Sequence, residues 1–503
     1  MSVQTTAQRI LTQRSFSQRL KLNAMRVHRY LAYLGFLALL LWGGSGLLHP
    51  WLSTFGVQQA VFAPPQRELV LGNTVPVSDI LNRAGIKKAV AIRVVVGQHE
   101  NLLQVTEQAD QPRRYFSLHT GQELINHDPA HAAFLARHYL KVADSVPAQV
   151  TRIESFDSNY PAVNRLLPVY QVSFQTDSGL NAHVYTETGA LAAVSDHTKT
   201  QVQQWFQWLH TWSWLPQQAE LPRVLFMGVL VGALLLIAVS GLSMLLLIRR
   251  KARAPGTKGA HRAAAYLTAL PVLAFSFSGV FHLVQHAWPN EQINSRMSQE
   301  VSVAKLGPVD LGSVQLQGGF TGLSFVVNDQ GEVLARLALP APKAGQPVGE
   351  QAIRSARFDG VQPTGPALYL NATTGQPWAA GDRAMALHLA TQYTGLPESA
   401  IEHMELVTRF GAGYDFRNKR LPVWRVNYGA PLNAAVFVDT ATGVLADITP
   451  NSARFEQWVF SQLHKWSFLG VLGRNIQNGV ISAAVLLSIA LMAGLGFRLK
   501  TRR

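Results

Sequence analysis

The chain has 503 residues, no cysteine and a formal charge of +15. The lack of cysteine excludes disulfides, Cys-ligated zinc, iron–sulfur clusters and covalently attached haem, so a redox centre must rely on other ligands, the 16 histidines first among them. Nor does the charge mark a nucleic-acid binder: residues 1–29 hold six Lys or Arg, residues 249–262 hold six and residues 498–503 hold four, all without an acid, which leaves the rest nearly neutral.

In chain order, residues 1–29 form a basic N-terminal segment and 30–49 the first predicted membrane span. A span needs about 20 mostly apolar residues to cross roughly 30 Å of hydrocarbon, and the apolar blocks at 30–48, 224–248, 263–283 and 479–497 qualify. The first block starts far into the chain and lacks a small-residue cleavage site, so it reads as a retained helix and not as a signal peptide. Residues 50–204 are long enough for a folded domain, 205–248 for an amphipathic lead-in and second span, 249–262 for a basic loop and 263–286 for a third span. A second domain follows at 287–457, then a lead-in and fourth span at 458–497 and a basic tail at 498–503. The positive-inside rule puts the three basic segments in the cytoplasm and both long connections on the opposite side. The expected fold is a membrane protein of four transmembrane α-helices in two tandem repeats, with two periplasmic α+β domains.

The repeat is visible residue by residue. Tyr160 and Tyr414 lie 254 residues apart, as do Leu167-Pro168-Val169 and Leu421-Pro422-Val423, Thr120-Gly121 and Thr374-Gly375, Thr188-Gly189 and Thr442-Gly443, and Leu209-His210 and Leu463-His464. The preceding spans match at 233: His28-Arg29 with His261-Arg262, and Ser45-Gly46 through His49 with Ser278-Gly279 through His282. An insertion of 21 residues near the start of the second domain reconciles the two offsets. A parallel tandem of this kind predicts a pseudo-two-fold axis along the membrane normal. Within each domain, alternation predicts strands at 169–174 and 423–428 and at 183–185 and 436–438, and helices at 132–139 and 384–393.

Six histidines form three repeat-related pairs near span ends: His28 with His261, His49 with His282, and His210 with His464. Ionisable residues at such positions default to a functional reading. A b-type haem held by two histidines needs imidazoles from two helices with an apolar slot between them, which a two-fold repeat supplies. This points to one haem at His28 and His261 and another at His210 and His464. His49 and His282 are left to hold a third or to face the substrate; pairing His49 with His464 is sterically open too. Arg29 and Arg262 follow the first pair directly, and Arg223 and Arg474 open the second and fourth spans, where they suit haem propionates. Ser45-Gly46 and Ser278-Gly279 read as close helix packing, and Trp205, Trp208, Trp212 and Trp214 as an interfacial belt.

The ending Val438-Asp439-Thr440-Ala441-Thr442-Gly443, its weaker copy Tyr185-Thr186-Glu187-Thr188-Gly189, and the His-Arg and Leu-His placements resemble the PepSY-associated transmembrane family over nearly the whole chain. The resemblance implies a bacterial inner-membrane protein and, for some members, a di-haem ferric-siderophore reductase. On that reading two haems b, or three, carry electrons from a cytoplasmic reductase or quinol to a periplasmic ferric-siderophore or other ferric chelate. The full duplication of the outer domain departs from the family's usual pattern. The alternative is a membrane-anchored PepSY sensor or peptidase regulator without redox activity. No His-Glu-x-x-His, P-loop or dinucleotide glycine motif is present.

Overall fold

The computed structural model describes residues 16–215, 220–248, 256–287, 297–308, 319–339, 367–411 and 413–501. They form two compact units: a helical unit within residues 1–56, 199–292 and 455–503, and a sheet unit within 57–198 and 293–454.

Four helices of the helical unit are long and apolar enough to cross a membrane: Ala32–Phe55, Glu220–Leu247, Thr257–Gln285 and Arg474–Leu499. The last three begin about a turn or more before their apolar blocks, because polar residues such as Glu220 and Lys258 continue the helix outward. Leu225, Phe226, Val229, Leu267 and Leu270 are exposed on the second and third of these helices, which thus present apolar faces outward. Glycine lets the backbones approach: a Cβ on Gly35 would lie 2.2 Å from Ile237 Cδ1, so the first span packs directly on the second. The first and fourth spans each widen into π-helical turns, Leu39–Gly43 and Ser488–Ala493, which pack on each other. Two further π-helical turns, Gln207–Thr211 and Phe460–His464, carry His210 and His464; left-handed Trp212 caps the first, and left-handed Trp466 follows the second one residue after Lys465.

The sheet unit unites what the sequence presents as two domains. Its first half supplies β1 (Lys88–Ala89), β2 (Ala91–Val96), β3 (Asn101–Thr106), β4 (Arg114–Ser117), helix α1 (His127–Leu140), then β5 (Ala148–Ile153), β6 (Val169–Phe174), β7 (Asn181–Tyr185) and β8 (Ala190–Ser195). The second half repeats the order with β9 (Val301–Ser302), β10 (Gly322–Val327), β11 (Val333–Ala338), β12 (Leu368–Asn371), helix α2 (Gly381–Thr394), then β13 (Ile401–Val407), β14 (Val423–Tyr428), β15 (Ala434–Asp439) and β16 (Val444–Pro450). β5–β8 and β13–β16 are separate four-stranded antiparallel sheets, each covered by its own helix. The first strands of the two halves instead merge into one six-stranded sheet of order β12-β11-β10-β2-β3-β4, joined where β10 pairs antiparallel with β2 at Ser324 and Arg93. Ile92, Leu103 and Phe116 from one half and Leu323, Ala335 and Leu370 from the other fill a single core beneath it.

Strand register also relocates the insertion. Leu102 pairs with Ser117 and Leu334 with Asn371 in equivalent hairpin positions. The extra residues of the second half therefore fall between β11 and β12, in a stretch that includes residues 340–366, which lie outside the described residues. They do not fall at the start of the domain.

Buried polar groups follow the duplication. Gln104 Nε2 donates to Tyr115 Oη at 2.8 Å and Tyr115 Oη to Asp128 at 2.7 Å, at the start of α1. The second half places Arg336, Tyr369 and Asp382 in the same relation, with Arg336 Nε 3.0 Å from both partners. Tyr139 and Tyr393 each donate to the carbonyl of a Thr-Gly turn, at Gly189 and Gly443, whose φ of +70° and +67° only glycine adopts without strain. Glu187 joins the halves: it pairs with Arg113 of its own half and with Arg420 of the other, and Arg420 also binds Asp439 at 3.0 Å. The guanidinium side chains are 0% and 2% exposed, so each depends on these carboxylates.

Removing one member of a buried charge network leaves its partners uncompensated, at a cost of about 3–5 kcal/mol. Glu187→Ala is expected to lower the thermal midpoint of the sheet unit sharply in the detergent-solubilised protein, with helical-unit circular dichroism retained; an unchanged melt would contradict the network.

His183 gives a second test. It is 2% exposed, stacks on Tyr160 at 4.6 Å, and neither ring nitrogen has a hydrogen-bond partner. Burial lowers its pKa to about 4, against a smaller opposing effect of Asp157. Its repeat equivalent is Phe437, stacked on Tyr414 at 4.5 Å. Because the folded state resists the proton, stability is complete above the unfolded value near 6.5 and erodes as pH falls toward 4, by about 3 kcal/mol. His183→Phe installs the residue the other half already uses and should reduce the loss of stability between pH 6.5 and 4, measured by thermal melts at each pH, with buried His131 retaining its own contribution over that range.

Candidate functional site

The four apolar helices line a cleft of about 110 Å³. Every helix contributes to its wall, with small residues such as Gly35, Gly241, Ala265, Ala269, Ala493 and Gly496 among them, and among the described residues no Asp, Glu, Lys or Arg lines it. Its two imidazoles are His28 and His261, ring centres 6.2 Å apart and planes at 69°. His28 Nδ1 lies 3.2 Å from the Ile237 carbonyl and 3.3 Å from Ser240 Oγ, which fixes the N–H on that side and turns Nε2 away from it. Each ring rests on a glycine. A Cβ on Gly241 would come within 3.3 Å of His28 Cε1, and one on Gly496 within 3.7 Å of His261 Cε1.

His210 and His464 form the second pair, ring centres 6.5 Å apart and planes at 73°. The repeat shows in most contacts around them. His210 Nδ1 meets Ser45 Oγ at 2.9 Å and His464 Nδ1 meets Ser278 Oγ at 3.1 Å. Phe206 stacks on His210 at 4.7 Å and Phe460 on His464 at 4.6 Å. Trp42 packs on Trp212 at 5.4 Å, and its equivalent Phe275 stacks on Trp466 at 5.2 Å. One hydrogen bond here has no counterpart: Trp42 Nε1 donates to the His210 carbonyl at 3.0 Å, which Phe275 has no group to match.

The remaining residues singled out in the sequence take other partners. His282 Nδ1 pairs with Glu456 and its ring stacks on Phe460 at 4.4 Å, while His49 lies 6.0 Å from Phe206, so these two flank the second pair. The repeat equivalent of Glu456 is Val202, which gives His49 no matching carboxylate. Arg262 donates to the Ile248 carbonyl at 2.7 Å, closing the end of the second span. Arg223 binds Glu220 and the Thr211 carbonyl, fastening the turn that carries His210. Arg29 and Arg474 are exposed. Ser45 and Ser278, read from the sequence as packing residues, are the partners of the second pair. The signal was present in their shared offset with His49 and His282. Gly241, Gly496 and Trp42 carry no such mark.

Both pairs have the spacing of imidazoles that share one metal ion. A metal–nitrogen bond of about 2.0–2.1 Å and about 1.1 Å from nitrogen to ring centre, counted twice, give about 6.3 Å. Ligating histidines ordinarily commit the other ring nitrogen to a carbonyl or side-chain oxygen, as three of the four do here. At the first pair, an apolar, glycine-floored cleft with an imidazole on either side suits a flat macrocycle. The residues therefore fit haem. No family model matches this chain, and no curated protein matches it.

Proposed function

We propose that this protein is a haem-b transmembrane reductase that carries electrons across the inner membrane to a ferric chelate on the periplasmic side. The observation that carries the reading is the pair of imidazole pairs, one histidine from each repeat, at 6.2 and 6.5 Å within one helical unit. In this reading His28 and His261 hold one haem toward the cytoplasm, and His210 and His464 hold the other toward the periplasm. Haem b, when bound, supplies a one-electron couple at each site. The chain's own residues do the rest: Ile237, Ser45 and Ser278 orient the imidazoles, and the apolar walls exclude water. Arg29, which follows His28 directly in the chain, is the proposed propionate partner at the first site.

The sheet unit, with its Thr-Gly endings, is the PepSY-like part of this reading. A ferric-siderophore or comparable chelate is the proposed acceptor, because Fe(II) binds hard oxygen donors less tightly than Fe(III) and one electron suffices for release. The helical unit offers no nucleotide motif, so the donor is a quinol or a soluble reductase.

Protein purified from haem-sufficient cells should show a Soret band, sharp reduced b-type bands and two haems per chain. His28→Ala and His261→Ala should each remove one haem and abolish transfer. Gly241→Leu should do the same without touching a ligand, because its side chain would occupy the place of the His28 ring. A colourless protein would overturn the proposal, and three haems per chain would return His49 and His282 to the ligand set.

A further inference from the structure

Two redox sites at opposite ends of a bundle are useful only if an electron crosses the gap between them. From His28 to Ser45, the partner of His210, the chain advances 17 residues, about 26 Å at 1.5 Å per residue. Much of that length is cleft. The wall runs from His28 up to Leu39, about 16 Å, which leaves about 9 Å between Leu39 and Ser45. Beyond the cleft-wall residues Phe36, Leu39, Leu234, Met492 and Ala493, the same packed cluster continues with Leu230, Ile489 and Trp42. Trp42 sits three residues beyond Leu39 on the π-helical turn of the first span. It belongs to the same packed cluster as the cleft-wall residues Leu39, Val272 and Met492. At its other edge the indole N–H donates to the His210 carbonyl at 3.0 Å.

We propose that Trp42 is the bridge by which an electron passes from the His28–His261 site to the His210–His464 site; this rests on the haem reading above. A π-system lowers the tunnelling barrier relative to the aliphatic carbons around it. The Nε1–H···O=C hydrogen bond then leads into the His210 backbone and side chain without a through-space jump. One electron leaves the first site, which is oxidised by one, and arrives at the second, which is reduced by one; no bond breaks and no proton moves, and the indole itself stays neutral. Phe275, at the equivalent place in the second repeat, meets the His464 ring edge-on at 5.7 Å but has no N–H, so the route runs through the first repeat alone.

The chain has no cysteine, so a single Asn23→Cys substitution gives an unambiguous attachment point for a ruthenium photosensitiser near His28. A flash then injects one electron at the first site, and transient absorption follows its arrival at the second. Trp42→Leu should slow arrival by roughly an order of magnitude, with haem content and both midpoint potentials unchanged; Trp42→Phe, which keeps a ring and loses the N–H, should fall between. In ¹⁵N-Trp-labelled protein made without haem, the Trp42 indole N–H, assigned by its loss in Trp42→Phe, should be protected from solvent exchange. Wild-type arrival in Trp42→Leu, a slowing matched by a shift in the second site's midpoint, or a freely exchanging indole would overturn the bridge. Fewer than two haems in the unsubstituted protein would instead overturn the reading on which it rests.

Discussion

Three of the four paired imidazoles have a partner for their Nδ1, and much of the helical unit is arranged to supply it, while His261 Nδ1 is buried without one. The requirement is costly to leave unmet, since a buried donor without an acceptor forfeits the hydrogen bond it had with water. The first span meets it twice. Its N-terminal approach brings His28 to the Ile237 carbonyl and Ser240, and Ser45 is carried to His210. The close approach of Gly35 to Ile237 makes the first of these contacts reachable. A larger residue at position 35 would force the end of the Ile237 side chain to turn aside.

The duplication explains why the two imidazole pairs resemble each other in spacing yet differ in support. Serine and phenylalanine are repeated around His210 and His464 with nearly the same distances, because both halves solve one packing problem. Departures from symmetry cluster beside this pair: Trp42 against Phe275, and Glu456 against Val202. Packing alone gives no reason for the two halves to differ there.

Much of the architecture was legible in the sequence, for definite reasons. Strands at 169–174 and 423–428 have alternating faces, one buried in the core, and the structure places them at those residues. The four apolar helices were visible from length and composition. The histidine pairs were visible because chemistry-bearing residues recurred at a fixed offset. Three features were not. The joining of β2 to β10 depends on backbone hydrogen bonds between distant segments, and neither strand announces its neighbour. Gly241 and Gly496 matter only for the side chain they lack. The insertion was misplaced because the sequence offers an offset on either side of it, and only strand register shows where the change occurs.

The join at β2 and β10 bears on how such a chain arises. Two like strands, paired antiparallel at the centre of a sheet with mirrored order on either side, have the geometry of an isologous interface between identical subunits. Covalent linkage of two such subunits preserves the contact and removes the obligation that both sides be the same. A homodimer would have to carry a tryptophan at both positions 42 and 275 or at neither. The tandem chain holds one of each, and thereby gives a symmetric frame a single direction.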